Sequence, residues 1–271
     1  MFPILFEKGA IVVPTFYAMM AIASIAGTYV IYYFAKKEGL SRVIALDLGM
    51  IGTVTGIIGA RIFHIVIEYP WYYLEHPSYT WQIWRGGLVW YGGMITAAFC
   101  IIAYLRYRNQ PFLPYLDILA IGICVVLFFG RIGCFSVGCC YGQPTHLHWA
   151  LVFPSYSEAG RQFPGIPLHP TQLYEMASMV VLFAIAVTIE NRKTFYGQTV
   201  ATILVLYAVA RGVIEIFRGD ADRGIFFLGL STSQLIGVFN IGVGIALYLY
   251  CRTRYRITPP SAVSAATLPD R

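Results

Sequence analysis

Residues 128–142 read Phe128-Phe129-Gly130-Arg131-Ile132-Gly133-Cys134-Phe135-Ser136-Val137-Gly138-Cys139-Cys140-Tyr141-Gly142 and follow directly on an apolar run. An arginine at hydrocarbon depth costs about 2.5 to 3.5 kcal/mol on insertion scales, so it is usually there to hold something anionic. The four glycines fit a backbone that leaves the helix and approaches a ligand or a neighbouring helix closely. The stretch therefore predicts that a membrane helix opens here into a site near one membrane face.

The composition of the whole chain agrees with a membrane location. The 271 residues are 58% hydrophobic and 12% charged, with a mean hydropathy of +0.66, whereas charged residues make up about 25% of soluble domains. The chain is therefore predicted to be an all-α polytopic membrane protein. Its formal charge of +6 is then attributed to basic loops that face the cytoplasm. No nucleic-acid partner is expected.

Seven apolar runs have about the length that spans a bilayer core: 14–34, 45–67, 88–105, 115–135, 171–189, 198–217 and 231–250. Seven spans place the two termini on opposite sides of the membrane. Basic residues are concentrated on the side of the C-terminus, at Lys36, Lys37, Arg42, Arg106, Arg108, Arg192, Lys193, Arg252, Arg254, Arg256 and Arg271, against Lys8, Arg85, Arg161, Arg218 and Arg223 on the other. The positive-inside rule predicts an external N-terminus and a cytoplasmic C-terminus.

This topology predicts one transmembrane domain over residues 1–257 with its long loops outside. Loop 68–87 is rich in aromatic residues suited to the headgroup layer, where a short interfacial helix is expected, and loop 136–170 is expected to form a small external substructure. Because loops on a rigid scaffold carry function, the chemistry is expected on the outer side. The tail 258–271, with two prolines and small residues, is predicted to be a disordered cytoplasmic segment.

The sixth predicted span carries a polar stripe on an otherwise apolar helix. Its members are Tyr207, Arg211, Glu215 and Arg218, at i, i+4, i+8 and i+11. Such a stripe must face the bundle interior, where Arg211 and Glu215 can pair. Together with Arg131, these arginines exceed the nearby acid by two charges, which favours a bound anion, and phosphate is the natural one in a bilayer. The alternative is a self-satisfied buried network without a ligand.

Other polar residues in or beside the spans have both structural and functional interpretations. Arg61 can pair with Glu68 near the interface, since both lie on one helical face with His64. Asp117 is too far along its helix from Arg131 to pair with it, and is expected at the inner interface as a cap or partner to another span.

Two short motifs lie at the starts of predicted spans. Gly92-Gly93 allows either close helix packing or a helix opening. The segment His169-Pro170-Thr171-Gln172-Leu173-Tyr174-Glu175 places Thr171 as a helix cap, with Glu175 in the first turns of the following helix. His169 is a candidate catalytic residue, although the pattern alone favours a structural role.

With these motifs in order, the chain resembles the bacterial prolipoprotein diacylglyceryl transferase family from Tyr17 to Tyr250. The resemblance rests on Phe16-Tyr17-Ala18-Met19-Met20, Gly59-Ala60-Arg61, Trp84-Arg85-Gly86-Gly87, Tyr91-Gly92-Gly93, Gly130-Arg131-Ile132-Gly133 with Phe135 and Gly142, Leu151-Val152-Phe153-Pro154, His169 to Glu175, Tyr207 with Arg211, Glu215, Phe217 and Arg218, and Ser233-Gln234-Leu235.

The resemblance implies a multi-pass enzyme of the bacterial cytoplasmic (inner) membrane that needs no cofactor. Such an enzyme transfers a diacylglyceryl group from phosphatidylglycerol to the thiol of a lipobox cysteine in an exported preprotein, giving a thioether and releasing glycerol phosphate. The implied catalytic residues are Arg131, Arg211, Tyr91 and Glu215. The implied substrate-binding residues are Tyr17, Arg61, Gly92, Gly93, Cys134, Gly142, His169, Gln172, Tyr207 and Arg218.

The chain departs from the family signature at four positions. Cys134, Val137 and Cys139 stand where the family has two asparagines and a glutamate, and Tyr91 stands where it has a histidine. A phenol with a pKa near 10 is a poor base at neutral pH. Three alternatives follow: unchanged diacylglyceryl transfer, a divergent paralogue that uses another acceptor or its own cysteine as nucleophile, and a lipid-binding protein without catalysis. The cysteine spacing matches no standard zinc pattern, so no metal is expected.

Overall fold

The computed structural model describes residues 1–8, 11–83, 86–219 and 232–257. The predicted tail 258–271, together with Trp84, Arg85 and Arg223, lies outside the described residues. Long helices dominate: α1 Thr15–Lys37, α2 Arg42–Phe63 with a π-helical extension His64–Glu68, α4 Trp90–Tyr107, α5 Phe112–Val137, α7 Thr171–Arg192, α8 Gln198–Ile216 and α9 Thr232–Arg254. The short elements are β1 Ile4–Lys8, β2 Ile11–Pro14, α3 Pro70–Glu75, a 3-10 turn Pro77–Tyr79, β3 Leu151–Val152, α6 Glu158–Gln162 and β4 Pro167–Leu168.

Within the described residues, six helices are long and apolar enough to cross a membrane. They are Thr15–Lys37, Arg42–Glu68, Phe112–Val137, Thr171–Arg192, Gln198–Ile216 and Ser233–Arg254. The third predicted span, 88–105, is also helical as α4, but it is only 18 residues long and falls short of the same standard. Its Trp90-Tyr91-Gly92-Gly93 start and its Arg106 near the end dilute the apolar character.

Helix α4 nevertheless packs antiparallel to α2 along most of its length. A methyl group added at Gly92 would collide with Phe63, and one added at Gly93 would come within 2.7 Å of the carbonyl oxygen of Gly56. At the other end of the pair, the hydroxyl of Tyr104 donates to the carboxylate of Asp47. The small residues at the contact let the two backbones approach closely, the packing that membrane helices favour.

Helix α5 lies at the centre of the bundle, against α1, α7 and α8. Contrary to the prediction, it does not open at Gly130: it remains helical to Val137 and ends at Gly138, whose φ of 79° places it in the left-handed region that glycine tolerates. Continuing the helix keeps the backbone groups around Arg131 hydrogen-bonded, which an apolar environment requires. Gly133 instead gives room to Phe16 of α1.

Asp117 caps another helix, as predicted. Its carboxylate accepts hydrogen bonds from the backbone N–H of Gly197 at 2.7 Å and of Val200 at 2.9 Å, at the start of α8. Its side chain is fully buried (0% exposed). The carboxylate thereby satisfies backbone donors that the first turn of a helix leaves without partners. Its negative charge also interacts favourably with the positive end of the helix dipole.

The predicted external segments are both structured. Loop 68–87 contains the short helix α3, and its Trp71 and Trp81 are 77% and 80% exposed. Segment 136–170 forms a small substructure in which β3 pairs with β4 around a core of Tyr141, Phe153, Ala159 and Leu168. The all-α prediction is wrong in one respect, since β1 and β2 also pair as a hairpin ahead of α1. Over the part of the chain that the structure describes, the fold is mostly helical with two small two-stranded sheets.

Candidate functional site: linked arginine and glutamate side chains

One buried carboxylate joins the two arginines that the sequence singled out. Glu175, in the second turn of α7, contacts Nε of Arg131 on α5 through one carboxylate oxygen. Its other oxygen lies 2.9 Å from Nη1 of Arg211 on α8. Arg131 and Arg211 therefore sit on neighbouring helices with their guanidinium groups close enough to be bridged by a single anion.

The polar stripe of α8 extends this cluster. Nη2 of Arg211 lies 2.9 Å from Oε2 of Glu215, which confirms the predicted i,i+4 pair, and 3.4 Å from the hydroxyl of Ser233 on α9. Nη1 of Arg218 lies 3.9 Å from the same Glu215 oxygen. We call Arg131, Glu175, Arg211, Glu215 and Arg218 the charged cluster.

Glu175 changes the charge balance that the sequence suggested. Counting only Glu215 against the three arginines left two positive charges, whereas the second carboxylate leaves one in the charged cluster. Neutralising most of the charge lowers the cost of burying it. The net positive charge within the charged cluster still favours a monoanion such as a phosphodiester.

Two tyrosines border the charged cluster. Tyr207, half-buried one turn before Arg211 on α8, interacts electrostatically with Glu175, Arg131, Arg211 and Tyr91. Tyr91 comes from the start of α4, so this helix also contributes to the region. The structure thus links three of the four predicted catalytic side chains, Arg131 and Arg211 through Glu175 and Arg211 to Glu215 directly, and places Tyr91 within electrostatic range of Tyr207.

Three cysteine thiols lie beside Arg131. The sulfur atoms of Cys134, Cys139 and Cys140 are all within 4.8 Å of one another, and Nη1 of Arg131 lies 3.9 Å from Sγ of Cys134. Hydrogen bonds from the thiols of Cys134 and Cys139, helped by the charges of Arg131 and Arg218, hold the pKa of Cys140 well below its ordinary value against the effect of burial. The pKa of Cys139, which donates in this network, is raised.

The segment around Gly142 is fixed from both sides. The N–H of Gly142 donates to the carbonyl of His169 at 3.0 Å, and the N–H of Gln143 donates to the carbonyl of Phe217 at 2.8 Å. A Cβ at Gly142 would come within 2.8 Å of atoms on both neighbours. These hydrogen bonds account for Gly142 by close backbone approach, and they tie the end of α5 to the ends of α7 and α8.

Gln172 and Thr171 attach α7 to the cysteine segment. Nε2 of Gln172 donates to the carbonyl of Cys139 at 2.7 Å, and Gln172 is only 1% exposed. The hydroxyl of Thr171 donates to the carbonyl of Cys140, also at 2.7 Å. The prediction that Thr171 caps its helix is therefore wrong: Pro170 occupies the cap position, and the threonine hydroxyl is used to hold the neighbouring loop.

His169 has a defined hydrogen-bond partner. Its Nδ1 lies 3.1 Å from the hydroxyl of Tyr174, which also accepts from the indole N–H of Trp149 at 2.8 Å. Because an indole N–H can only donate, the tyrosine hydroxyl has its own proton to give to Nδ1. This arrangement favours the tautomer with a proton on Nε2, so His169 presents a donor at its other nitrogen.

Arg61 anchors the described part of loop 68–87. Its guanidinium donates to four backbone carbonyls, those of Tyr79, Thr80, Gly86 and Gly87, at 2.5 to 3.2 Å, and stacks over the ring of Tyr73. The predicted pairing of Arg61 with Glu68 is wrong, because Glu68 lies near His64 instead, at 3.7 Å. Tyr17 reaches the same loop, where its hydroxyl donates to the carbonyl of Ile83 at 3.1 Å.

Within the described part of the chain, four of the predicted substrate-binding residues have structural roles. Arg61 and Tyr17 hold loop 68–87, and Gly92 and Gly93 permit the close packing of α4 on α2. Their role in binding substrate stays a prediction.

Sequence reasoning missed Glu175 as a member of the site. The signal available was an acid one turn inside an otherwise apolar span, facing a surplus of arginine on other spans. Its partner Arg131 is 44 positions away, so no local spacing links them.

Comparisons with known proteins point to one family. A family profile described as prolipoprotein diacylglyceryl transferase matches residues 3–250. Similar proteins named phosphatidylglycerol–prolipoprotein diacylglyceryl transferase occur in Clostridium tetani (29% identical over 252 residues, 93% of this chain and 98% of the relative), Nitrosomonas europaea (34% over 221, 80% and 76%) and Nitratidesulfovibrio vulgaris (36% over 209, 76% and 76%).

Proposed function

Since the chain belongs to the prolipoprotein diacylglyceryl transferase family, we propose that it transfers a diacylglyceryl group from phosphatidylglycerol to a cysteine thiol of an exported preprotein. The acceptor is the lipobox cysteine, and the product is a thioether. The two substrates contain everything the reaction consumes, so it calls for no organic cofactor.

The observation that carries this proposal is the bridge from Arg131 through Glu175 to Arg211. Two guanidinium groups on separate helices, held at the end of an apolar bundle, suit a phosphate attached to a lipid. The acyl chains of the donor would remain among the apolar helices while its phosphate reaches the arginines. A soluble phosphate ester would not need arginines that lie among apolar helices.

The chemical step is a displacement at the glyceryl carbon attached to the phosphate oxygen. The acceptor sulfur forms a bond to that carbon as the carbon–oxygen bond breaks, and the electron pair leaves on glycerol phosphate. Arg131 and Arg211 would stabilise the negative charge that grows on the leaving phosphate. Glu175 and Glu215 hold the two guanidinium groups in place before the substrate arrives, so little reorganisation is needed during the reaction.

The thiol proton must leave the acceptor before or during attack. Glu215 is the proposed acceptor of this proton, and the hydroxyl of Tyr91, itself a poor base, is proposed to relay it. The positive field of the charged cluster favours the thiolate over the thiol. Tyr207, Arg218, Gln172 and His169 surround this region and are proposed to position the two substrates.

The proposed topology has seven spans in the bacterial cytoplasmic membrane, with the N-terminus outside, the C-terminus inside and the site towards the outer face. The antiparallel packing of α4 along α2 supports its inclusion as a span, and the basic residues at the opposite end support the orientation. A reporter fused after Arg256 should be active only as a cytoplasmic fusion, and one within 136–170 only as an exported fusion. The reverse pattern would refute the orientation.

The function itself can be tested by complementation of a strain depleted of its ordinary diacylglyceryl transferase. We expect the chain to restore growth and the lipidation of a reporter lipoprotein, and the Arg131→Ala variant to fail at a similar protein level in the membrane. Growth without lipidation of the reporter, or no rescue by well-expressed protein, would count against the proposed activity.

A further inference from the structure

The proposed transfer assigns no step to the three-thiol cluster of Cys134, Cys139 and Cys140, and two of its members, Cys134 and Cys139, stand where the family resemblance implies other residues. Its sulfurs come from the last turn of α5 and from the loop that follows. The other three cysteines of the chain, Cys100, Cys124 and Cys251, lie on α4, α5 and α9. The spacing of the three cysteines along the sequence argued against a metal site. Sequence spacing, however, does not show how the backbone turns after Val137 and therefore where the sulfur atoms lie.

The backbone turn makes the three thiols converge. Successive side chains of an extended segment point to opposite sides, so Cys139 and Cys140 would normally diverge. Cys140 instead has a φ of 58°, in the left-handed region that few residues other than glycine adopt. Its sulfur thereby joins those of Cys139 and Cys134, all within 4.8 Å of one another.

The spacing of the sulfurs fits a single thiophilic ion. Three thiolates around one ion with metal–sulfur bonds of about 2.3 Å lie about 3.8 to 4.0 Å apart. The sulfurs of this cluster would have to move by less than about 1 Å to reach that geometry. A disulfide would need a much larger contraction of one pair and an oxidant.

The surroundings are held in place and are suited to negative charge. The carbonyls of Cys139 and Cys140 are fixed by Gln172 and Thr171 at 2.7 Å, so the loop is rigid before a ligand binds. Three thiolates around a divalent ion carry one net negative charge. Nη1 of Arg131 lies 3.9 Å from Sγ of Cys134 and can compensate it.

A buried acceptor beside the loop points independently to a ligand. Because the Nε2 of Gln172 must face the carbonyl of Cys139, its Oε1 is the atom left over. That Oε1 is buried and accepts no hydrogen bond from the residues that the structure describes. A buried acceptor without a partner is costly, whereas a fourth ligand such as a metal-bound water would donate to it.

We propose that Cys134, Cys139 and Cys140 form a binding site for one thiophilic metal ion of the zinc, cadmium and copper(I) class, with Gln172 supporting its fourth position. The site is separate from the phosphate-binding arginines in chemistry, although it adjoins them in space. Metal binding at this site does not depend on catalysis, so the proposal is tested by measuring metal binding and not transfer activity.

The test is anaerobic titration of the purified, phosphine-reduced full-length protein with Cd(II), followed by ultraviolet sulfur-to-cadmium absorption. We expect one tightly bound Cd(II) per chain. Loss of an outer-shell partner typically weakens metal binding by about 10- to 100-fold, and loss of a ligand by at least as much. Gln172→Ala should therefore weaken binding by about tenfold, and Cys134→Ser or Cys140→Ser by more than about 100-fold.

Cys100→Ser is the matched control, since Cys100 is also half-buried but lies on α4, and it should bind Cd(II) as the unmodified protein does. Equal affinities in the unmodified protein and in a variant with all three cluster cysteines changed to serine would overturn the proposal.

A second measurement needs no variant and covers the case in which the serine variants fail to fold. Bound Cd(II) should protect Cys134, Cys139 and Cys140 of the unmodified protein from iodoacetamide, as read by peptide mass spectrometry, and should leave the labelling of Cys100 unchanged. The same labelling of the three cysteines with and without Cd(II) would refute the site.

Discussion

Replacing Glu175 with glutamine tests whether one carboxylate holds the two arginines. Glu175 is 5% exposed and meets Arg131 through one oxygen and Arg211 through the other. A glutamine keeps one oxygen as acceptor, but its NH2 group faces the other guanidinium, donor to donor. Breaking a buried ion pair costs about 3 to 5 kcal/mol. Because one contact survives, we expect the free energy of unfolding to fall by about 3 kcal/mol, at the lower end of this range.

The same substitution should increase the affinity for lipid, although it lowers the free energy of unfolding. It raises the net charge of the charged cluster from one to two, since three arginines then face one glutamate. An added unit charge about 5 Å from a phosphate contributes about 3 kcal/mol at an effective dielectric constant of 20, and less after screening. Phosphatidylglycerol should therefore bind Glu175→Gln at least about tenfold more tightly than it binds the unmodified protein.

Both effects can be measured by equilibrium unfolding in mixed micelles, with and without added phosphatidylglycerol. Glu190→Gln is the matched control, because Glu190 is a buried glutamate of the same helix that pairs with Lys193 at 2.6 Å and with Thr199 at 2.6 Å at the other end of the bundle. It should lose comparable stability without any change in lipid affinity. An unchanged stability of Glu175→Gln, or a lipid affinity that moves equally in both variants, would refute the bridging role.

Substitutions at four further positions test the phosphate site, the loop anchor and the helix cap. Arg131→Ala and Arg211→Ala should each abolish lipid-dependent transfer at near-normal membrane levels, and lysine at either position should restore little, since it lacks the bidentate fork; full activity of an alanine variant would remove that residue from the site. Arg61→Ala leaves four carbonyls without their donor, so limited proteolysis should cut within 79–87 faster than in the unmodified protein, and equal cleavage rates would contradict the anchoring role. Asp117→Asn leaves one buried N–H at the start of α8 unpaired and should lower the free energy of unfolding by about 1 to 3 kcal/mol, with no change in lipid affinity; a shift in lipid affinity would show that Asp117 acts beyond this cap.

Residues whose partners are local were predictable from the sequence. The Arg211–Glu215 pair follows from helical spacing alone. Asp117 was expected to act as a cap or partner to another span because it lies too far along its helix from Arg131, but helical spacing did not identify α8 as the helix it caps. The apolar runs likewise located the seven long helices of the described residues to within a few residues, because a long apolar run is a strong signal for a helix.

Contacts between distant segments were not predictable in the same way. Glu175 meets Arg131 across two helices, and Arg61 turns to the backbone of a loop instead of to Glu68 on its own helix. The glycines around Arg131 were interpreted as a helix opening, whereas the helix continues to Val137 and Gly133 gives room to Phe16 of α1. In each case the structure is determined by a tertiary contact or by the need to satisfy buried backbone groups. Neither of these produces a periodic pattern in the sequence.

The most direct test of the central claim is an assay of the purified chain with phosphatidylglycerol and a synthetic lipobox peptide, read by mass spectrometry. The account predicts that the peptide cysteine gains the mass of a diacylglyceryl group while one glycerol phosphate is released for each peptide modified, and that Arg131→Ala and Arg211→Ala form no product. A diacylglyceryl adduct on Cys134, Cys139 or Cys140 of the protein itself, or lipid binding without any modified peptide, would contradict it.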